Sequence, residues 1–95
     1  MILLREVLGD ELRRSRIENE KTLRDVASQA CMSLGYLSEI ERGLKEPSSE
    51  ILNAICGSLN VSLSGLLTAS AFEFAKKELR ESELTSIYSM LYDKH

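Results

Sequence analysis

Apolar residues recur along this chain at three- and four-residue intervals, the period of a helix with one buried face. The first such run is Leu4, Val7, Leu8 and Leu12, with Arg5, Glu6, Asp10, Glu11, Arg13 and Arg14 on the other side. It predicts an amphipathic helix over about 3–19, weakened slightly by Gly9. Thr22 then reads as an N-cap, and Asp25 three residues later completes a capping-box pattern. The short helix that follows turns Leu23, Val26, Ala27 and Ala30 inward. Cys31-Met32-Ser33 interrupts the pattern, and Ser33 can cap another helix running to about Arg42, with Leu37 and Ile40 facing one way. Gly43 ends it, as a residue able to take the left-handed conformation at a helix C-terminus.

After the loop Lys45-Glu46-Pro47, Ser48 starts a fourth helix with Ile51, Leu52, Ile55, Cys56 and Leu59 inward and Asn60 as a left-handed stop. Ser62 caps a fifth, short helix that buries Leu63, Leu66 and Leu67, and Thr68 to Ser70 reads as a weak joint. Beyond it, Phe72, Ala75 and Leu79 make one apolar stripe, and Leu84, Ile87, Tyr88 and Leu91 make a second. The stripes are out of phase around Ser82-Glu83, which predicts a bend or break there. The fold class expected is all-α: a five-helix domain over 1–68 followed by a helical segment over 69–95.

At 95 residues, 43% hydrophobic and 28% charged, the chain has the size and composition of one soluble globular domain. No apolar run approaches the ~18 residues needed to span a bilayer. Arg5 and Glu6 follow Met1 to Leu4 at once, so neither a secretory signal nor a membrane anchor is expected. Two cysteines make no disulfide framework, which points to a reducing cytoplasm.

Metal binding would need more ligands than Cys31, Cys56 and a lone His95, and buried structural cysteine is the better reading of both thiols. No His or Lys is placed to activate a serine, and no glycine-rich phosphate loop follows a strand. Neither an enzyme, a cofactor nor a metal site is expected. The net charge is −3, yet residues 1–47 are nearly neutral, with eight basic and nine acidic groups. A nucleic-acid face would have to come from local arrangement rather than bulk charge.

Residues 23–43 are the most informative. A short helix with a small residue at Ala27, a three-residue turn, and a helix with Leu37 and Ile40 inward is the packing pattern of a helix-turn-helix. Such a crossing leaves the outer, N-terminal face of the second helix free to enter a major groove. The run Leu23-Arg24-Asp25-Val26-Ala27, the run from Ser33 to Gly43, Pro47-Ser48, and Leu59-Asn60-Val61-Ser62 resemble the phage-repressor-like (Cro/C1, or XRE) helix-turn-helix family over about residues 4–67. More narrowly, Ser33 to Gly43 and Ser48-Ser49-Glu50-Ile51-Leu52 look like the actinobacterial regulators of Clp protease genes.

The resemblance implies a lambda-repressor-like domain that binds double-stranded DNA, with base-reading positions on Ser33, Leu34, Gly35, Tyr36 and Glu39. Leu34 can pack on a thymine methyl and Glu39 can accept from a cytosine amine. Backbone contacts are expected from Thr22, Arg24, Ser33, Ser38, Arg42 and Lys45. Leu23 departs from the family, many of whose members carry a phosphate-contacting glutamine there. Each position also has a plainer reading. Tyr36 can simply cover the surface, Leu34 can meet a partner protein, Glu39 can pair with Arg42, and Arg24 and Lys45 can be ordinary surface charges. The resemblance further implies that Glu41 pairs with Arg16 to tie the recognition helix to the scaffold.

Phe72, Leu79, Leu84, Ile87, Tyr88 and Leu91 are too many apolar residues to hang from a finished core. They either wrap the same domain or build a homodimer, and the homodimer is the preferred expectation. The implied function is a dimeric activator of Clp protease and stress genes, which would also touch RNA polymerase. The alternatives are an antitoxin-like module with secondary DNA binding, or a module for protein–protein assembly alone.

Overall fold

The computed structural model describes residues 1–92, and His95 lies outside them. Five helices follow one another: α1 (Leu4–Glu18), α2 (Leu23–Gln29), α3 (Leu34–Glu41), α4 (Ser49–Leu59) and α5 (Leu63–Tyr92). Local chemistry sets their limits. Thr22 caps α2 in a reciprocal box with Asp25, Ser33 accepts from the Tyr36 amide, and Ser48 accepts from the Ile51 amide. Gly43 and Asn60 take left-handed conformations, at φ 73° and 56°, and end the third and fourth helices.

The core forms where α1, α2, α3, α4 and the start of α5 meet. Leu8 and Leu12 of α1, Val26 of α2, Leu37 and Ile40 of α3, Ile55 and Leu59 of α4, and Leu66 of α5 are all buried in it. α1 crosses α3 at Gly9, where a β-carbon would stand 2.5 Å from the Ile40 carbonyl oxygen and 2.7 Å from that of Glu41. Gly9 therefore sets how close α1 and α3 lie, rather than merely weakening α1.

The end of the chain departs from expectation. The expected joint at Thr68 to Ser70 and the break at Ser82-Glu83 are both absent, and α5 runs unbroken for 30 residues, about 45 Å. Leu67, expected inside, is 46% exposed, and Ser70 takes an inward place at 1%. Beyond Ser70 no described residue of α5 is buried. The phase shift between the stripes is real, but it is absorbed by an unbroken helix with two apolar faces. Leu79 and Leu84 are five residues apart, about 140° around the axis. Leu84 and Tyr88 each stand 18 residues beyond the buried Leu66 and Ser70, about five full turns, so they point the same way as the core-facing side. The core does not extend that far.

Candidate nucleic-acid interface

α3 is only eight residues long, too short to persist without support. Its inner edge supplies that support, since Leu37 and Ile40 are wholly buried. Its outer edge is open. Leu34 is 39% exposed, and a β-carbon at Gly35 would meet nothing within 4 Å. Ser33 is exposed at the N-cap, so the leading end of the helix is both capped and unobstructed.

The other expected contact residues flank this edge. Tyr36 is half-buried and packs its ring against the core, so its exposed part is limited. Ser38 and Glu39 are half-buried, while Thr22, Arg24, Arg42 and Lys45 are exposed. Glu39 does not pair with Arg42. It lies 3.9 Å from the Lys45 ammonium, and Arg42 turns its Nε back to the Ser38 carbonyl at 3.4 Å. An exposed pair such as Glu39–Lys45 contributes about 0–1 kcal/mol and gives way readily to a phosphate or base. At the start of α2, the Thr22 amide donates to Asp25 at 3.0 Å, and the Thr22 hydroxyl accepts from the Asp25 amide. These bonds hold the Asp25 carboxyl below its ordinary pKa, the backbone bond contributing most.

Sequence patterning places Arg13 only on the polar side of α1. It lines a shallow hollow between α1, α2 and α3 together with Asp10, Leu23, Ser38, Glu41 and Arg42. The charge pattern of α1 alone could not place it beside Arg42, because that neighbourhood depends on how the helices cross.

Behind the open edge sits an ion pair. Arg16 Nε donates to Glu41 Oε2 at 2.7 Å and Nη2 donates to Oε1 at 3.0 Å. The two side chains are 15% and 7% exposed, so this bidentate contact is largely screened from water. The hydrogen bond to Glu41 raises the Arg16 pKa further above its ordinary value, against the opposing effect of burial. Among the described residues no three His, Cys, Asp or Glu side chains gather as metal ligands. Cys56 is buried, which pushes its thiol pKa up, and Cys31 is exposed.

A helix, a tight turn and a second helix with a free leading edge, backed by a buried Arg–Glu pair, can be compared with known proteins. The helix-turn-helix family HTH_3 matches residues 12–66, more than half of the chain. Transcriptional regulator ClgR of Mycobacterium tuberculosis is 54% identical over 76 residues, covering 80% of this chain and 68% of that one. The chain belongs to the ClgR-like helix-turn-helix regulators. The crystal structure of the clp gene regulator ClgR from Corynebacterium glutamicum matches with a TM-score of 0.84, at 40% identity over 96% of each chain. At 23% identity, the restriction-modification controller protein C.Esp1396I, solved as a tetramer with its natural 35-base-pair operator, shares the fold with a TM-score of 0.71 over 77% of this chain and 96% of that one. This ClgR-like chain is a DNA-binding transcriptional regulator and not an enzyme. Among its described residues no single helix is long and apolar enough to cross a membrane.

Proposed function

We propose that the protein is an activator of Clp protease and stress genes that reads a pseudo-palindromic operator as a homodimer, with α3 of each copy in the major groove. The observation that carries this reading is the asymmetry of α3: its inner edge is sealed by Leu37 and Ile40, while Ser33, Leu34 and Gly35 lead outward with nothing over them. Leu34, Gly35, Tyr36 and Glu39 read bases, and Thr22, Arg24, Ser33, Ser38, Arg42 and Lys45 hold the backbone. Arg16 and Glu41 are architectural. The gene class follows from the C. glutamicum relative, named a clp gene regulator. Activation requires a further contact with RNA polymerase, to which no residue is assigned.

The dimer rests on α5. Phe72, Leu79, Leu84, Ile87, Tyr88 and Leu91 are each 52–66% exposed, and the overhang stretches the protein to 58 × 23 × 23 Å. A second copy laid against the overhang would cover these side chains and complete the core-facing side that Leu84 and Tyr88 continue. It would also present two recognition helices about 34 Å apart, one turn of duplex. With ~6–10 phosphates contacted, log affinity should fall with log salt at a slope of about −5 to −9. Selection of bound fragments from random duplexes tests the reading. A consensus of two inverted half-sites about 10 base pairs apart supports it. No enrichment, or a single asymmetric site, contradicts it. A monomer that co-purifies with a second protein would instead favour the antitoxin-like alternative.

A further inference from the structure

The ion pair behind α3 is one end of a longer chain of contacts. Arg16 also donates from Nη1 to the Lys21 carbonyl at 3.0 Å, and the Lys21 amide donates back to the Arg16 carbonyl at 3.1 Å. The two residues thus grip each other across the α1–α2 loop. The Lys21 side chain continues inward: its ammonium donates to the Ser58 carbonyl in the last turn of α4, and to Gln29 Oε1 at 3.0 Å at the end of α2. A cation at a helix C-terminus meets the carbonyls that have no partner in the helix, so this placement is favourable in its own right. One half-buried lysine therefore joins the ends of α2 and α4 to the loop that holds Arg16, and Arg16 holds Glu41 of α3.

We propose that Lys21 is a positioning residue for DNA reading, which sets the orientation of α3 through Arg16 and Glu41 without touching DNA. The inference rests on the groove-reading function above. Leu37 and Ile40 fix how deeply α3 sits, but apolar contact is non-directional and leaves rotation and sliding of an eight-residue helix weakly opposed. Directional bonds resist both. Base reading needs the contacting edge held to within about 0.5 Å, so the polar chain that fixes α3 governs specificity more than stability.

The test compares wild type, Lys21→Met and Lys21→Arg in the full chain, on the best duplex from random selection and on a scrambled duplex of equal length. Lys21→Met should lose about tenfold on the selected duplex and less than about twofold on the scrambled one, the scale of one charge-assisted hydrogen bond. Its salt slope should be unchanged, because no phosphate contact is removed. Lys21→Arg, which keeps the charge and several donors, should recover most of the loss. Amide hydrogen exchange at Leu37 to Glu41 should quicken in Lys21→Met, while exchange at Leu66 stays as in wild type.

Equal losses on both duplexes, no loss, or a slope reduced by about one would overturn the proposal. Should Lys21→Met fail to fold, Gln29→Ala removes a single leg of the chain at an exposed site. A loss of about two- to threefold on the selected duplex alone sustains the proposal, and wild-type binding refutes it. A wild-type protein that does not prefer the selected duplex breaks the function reading itself, not the role of Lys21.

Discussion

α3 and the outer half of α5 both hold apolar side chains in solvent, and they differ in what stands behind them. Leu34 projects from a helix whose other edge is sealed by two wholly buried residues and pinned by a bidentate Arg–Glu pair. Leu84, Ile87, Tyr88 and Leu91 project from a helix with nothing buried behind it. Among the described residues, the ion pairs that tie α5 beyond Phe74 to the rest are exposed or partly exposed, Lys77–Asp10 at 4.0 Å and Met1–Glu81 at 3.3 Å. Such pairs contribute about 0–1 kcal/mol each, and a lone helix of that length is marginal in water. Exposure on a rigid backing makes a reading surface. Exposure without one is the feature on which the proposed dimer rests.

The strongest way to break this contrast is to remove the backing of α3. Glu41→Ala leaves the largely screened Arg16 guanidinium without its carboxylate, with only the Lys21 carbonyl still accepting from it, and should cost about 3–5 kcal/mol in urea unfolding. A cost below about 1 kcal/mol would place the pair among ordinary surface pairs. The next largest effect belongs to α5. Leu84→Glu with Leu91→Glu should weaken self-association by about a thousandfold or more in sedimentation equilibrium, the scale of losing two hot-spot residues. A mass unchanged by these substitutions would remove the overhang from the interface.

Two glycines sharpen the contrast further. Gly9→Ala drives a methyl into two backbone carbonyls of α3 and should destabilise by about 3 kcal/mol. Gly35→Ala adds a methyl where no neighbour lies within 4 Å and should stabilise the helix by about 1 kcal/mol. The same methyl should weaken operator binding if the backbone of α3 approaches the bases at Gly35. Thermal unfolding beside operator titration checks both signs.

The smallest effect is one of pH. Asp25 has a lowered pKa in the folded state, so its cap contributes in full above about pH 4 and is lost as pH falls through the lowered value. Amide shifts of Thr22 and Asp25 should report that loss, and Asp25→Asn should abolish it. Titration that persists in Asp25→Asn would assign it to another group.

What could be read from the sequence was what local physics decides. The capping box at Thr22 and Asp25, the caps at Ser33 and Ser48, and the left-handed stops at Gly43 and Asn60 each depend on a few neighbouring residues. What could not be read depends on distant chain. Gly9 looks like a weak point of α1 until α3 lies across it. Arg13 joins Arg42 only once three helices meet, and Lys21 finds Ser58 37 residues away. Glu20 and Cys31 take left-handed conformations, φ 55° and 56°, with no glycine to announce them. The expected break in α5 had the right cause and the wrong outcome: two apolar stripes out of phase can belong to one unbroken helix that faces two surfaces.

The most direct test of the central claim pairs Tyr36→Ala and Glu39→Ala with single-base variants of the selected operator. If the leading edge of α3 reads bases from a twofold pair, each substitution should erase discrimination at one position in each half-site, about 1–3 kcal/mol there, and leave the other positions unchanged. Uniform loss across every duplex, or discrimination kept intact by both variants, would show that sequence is read by some other part of the molecule.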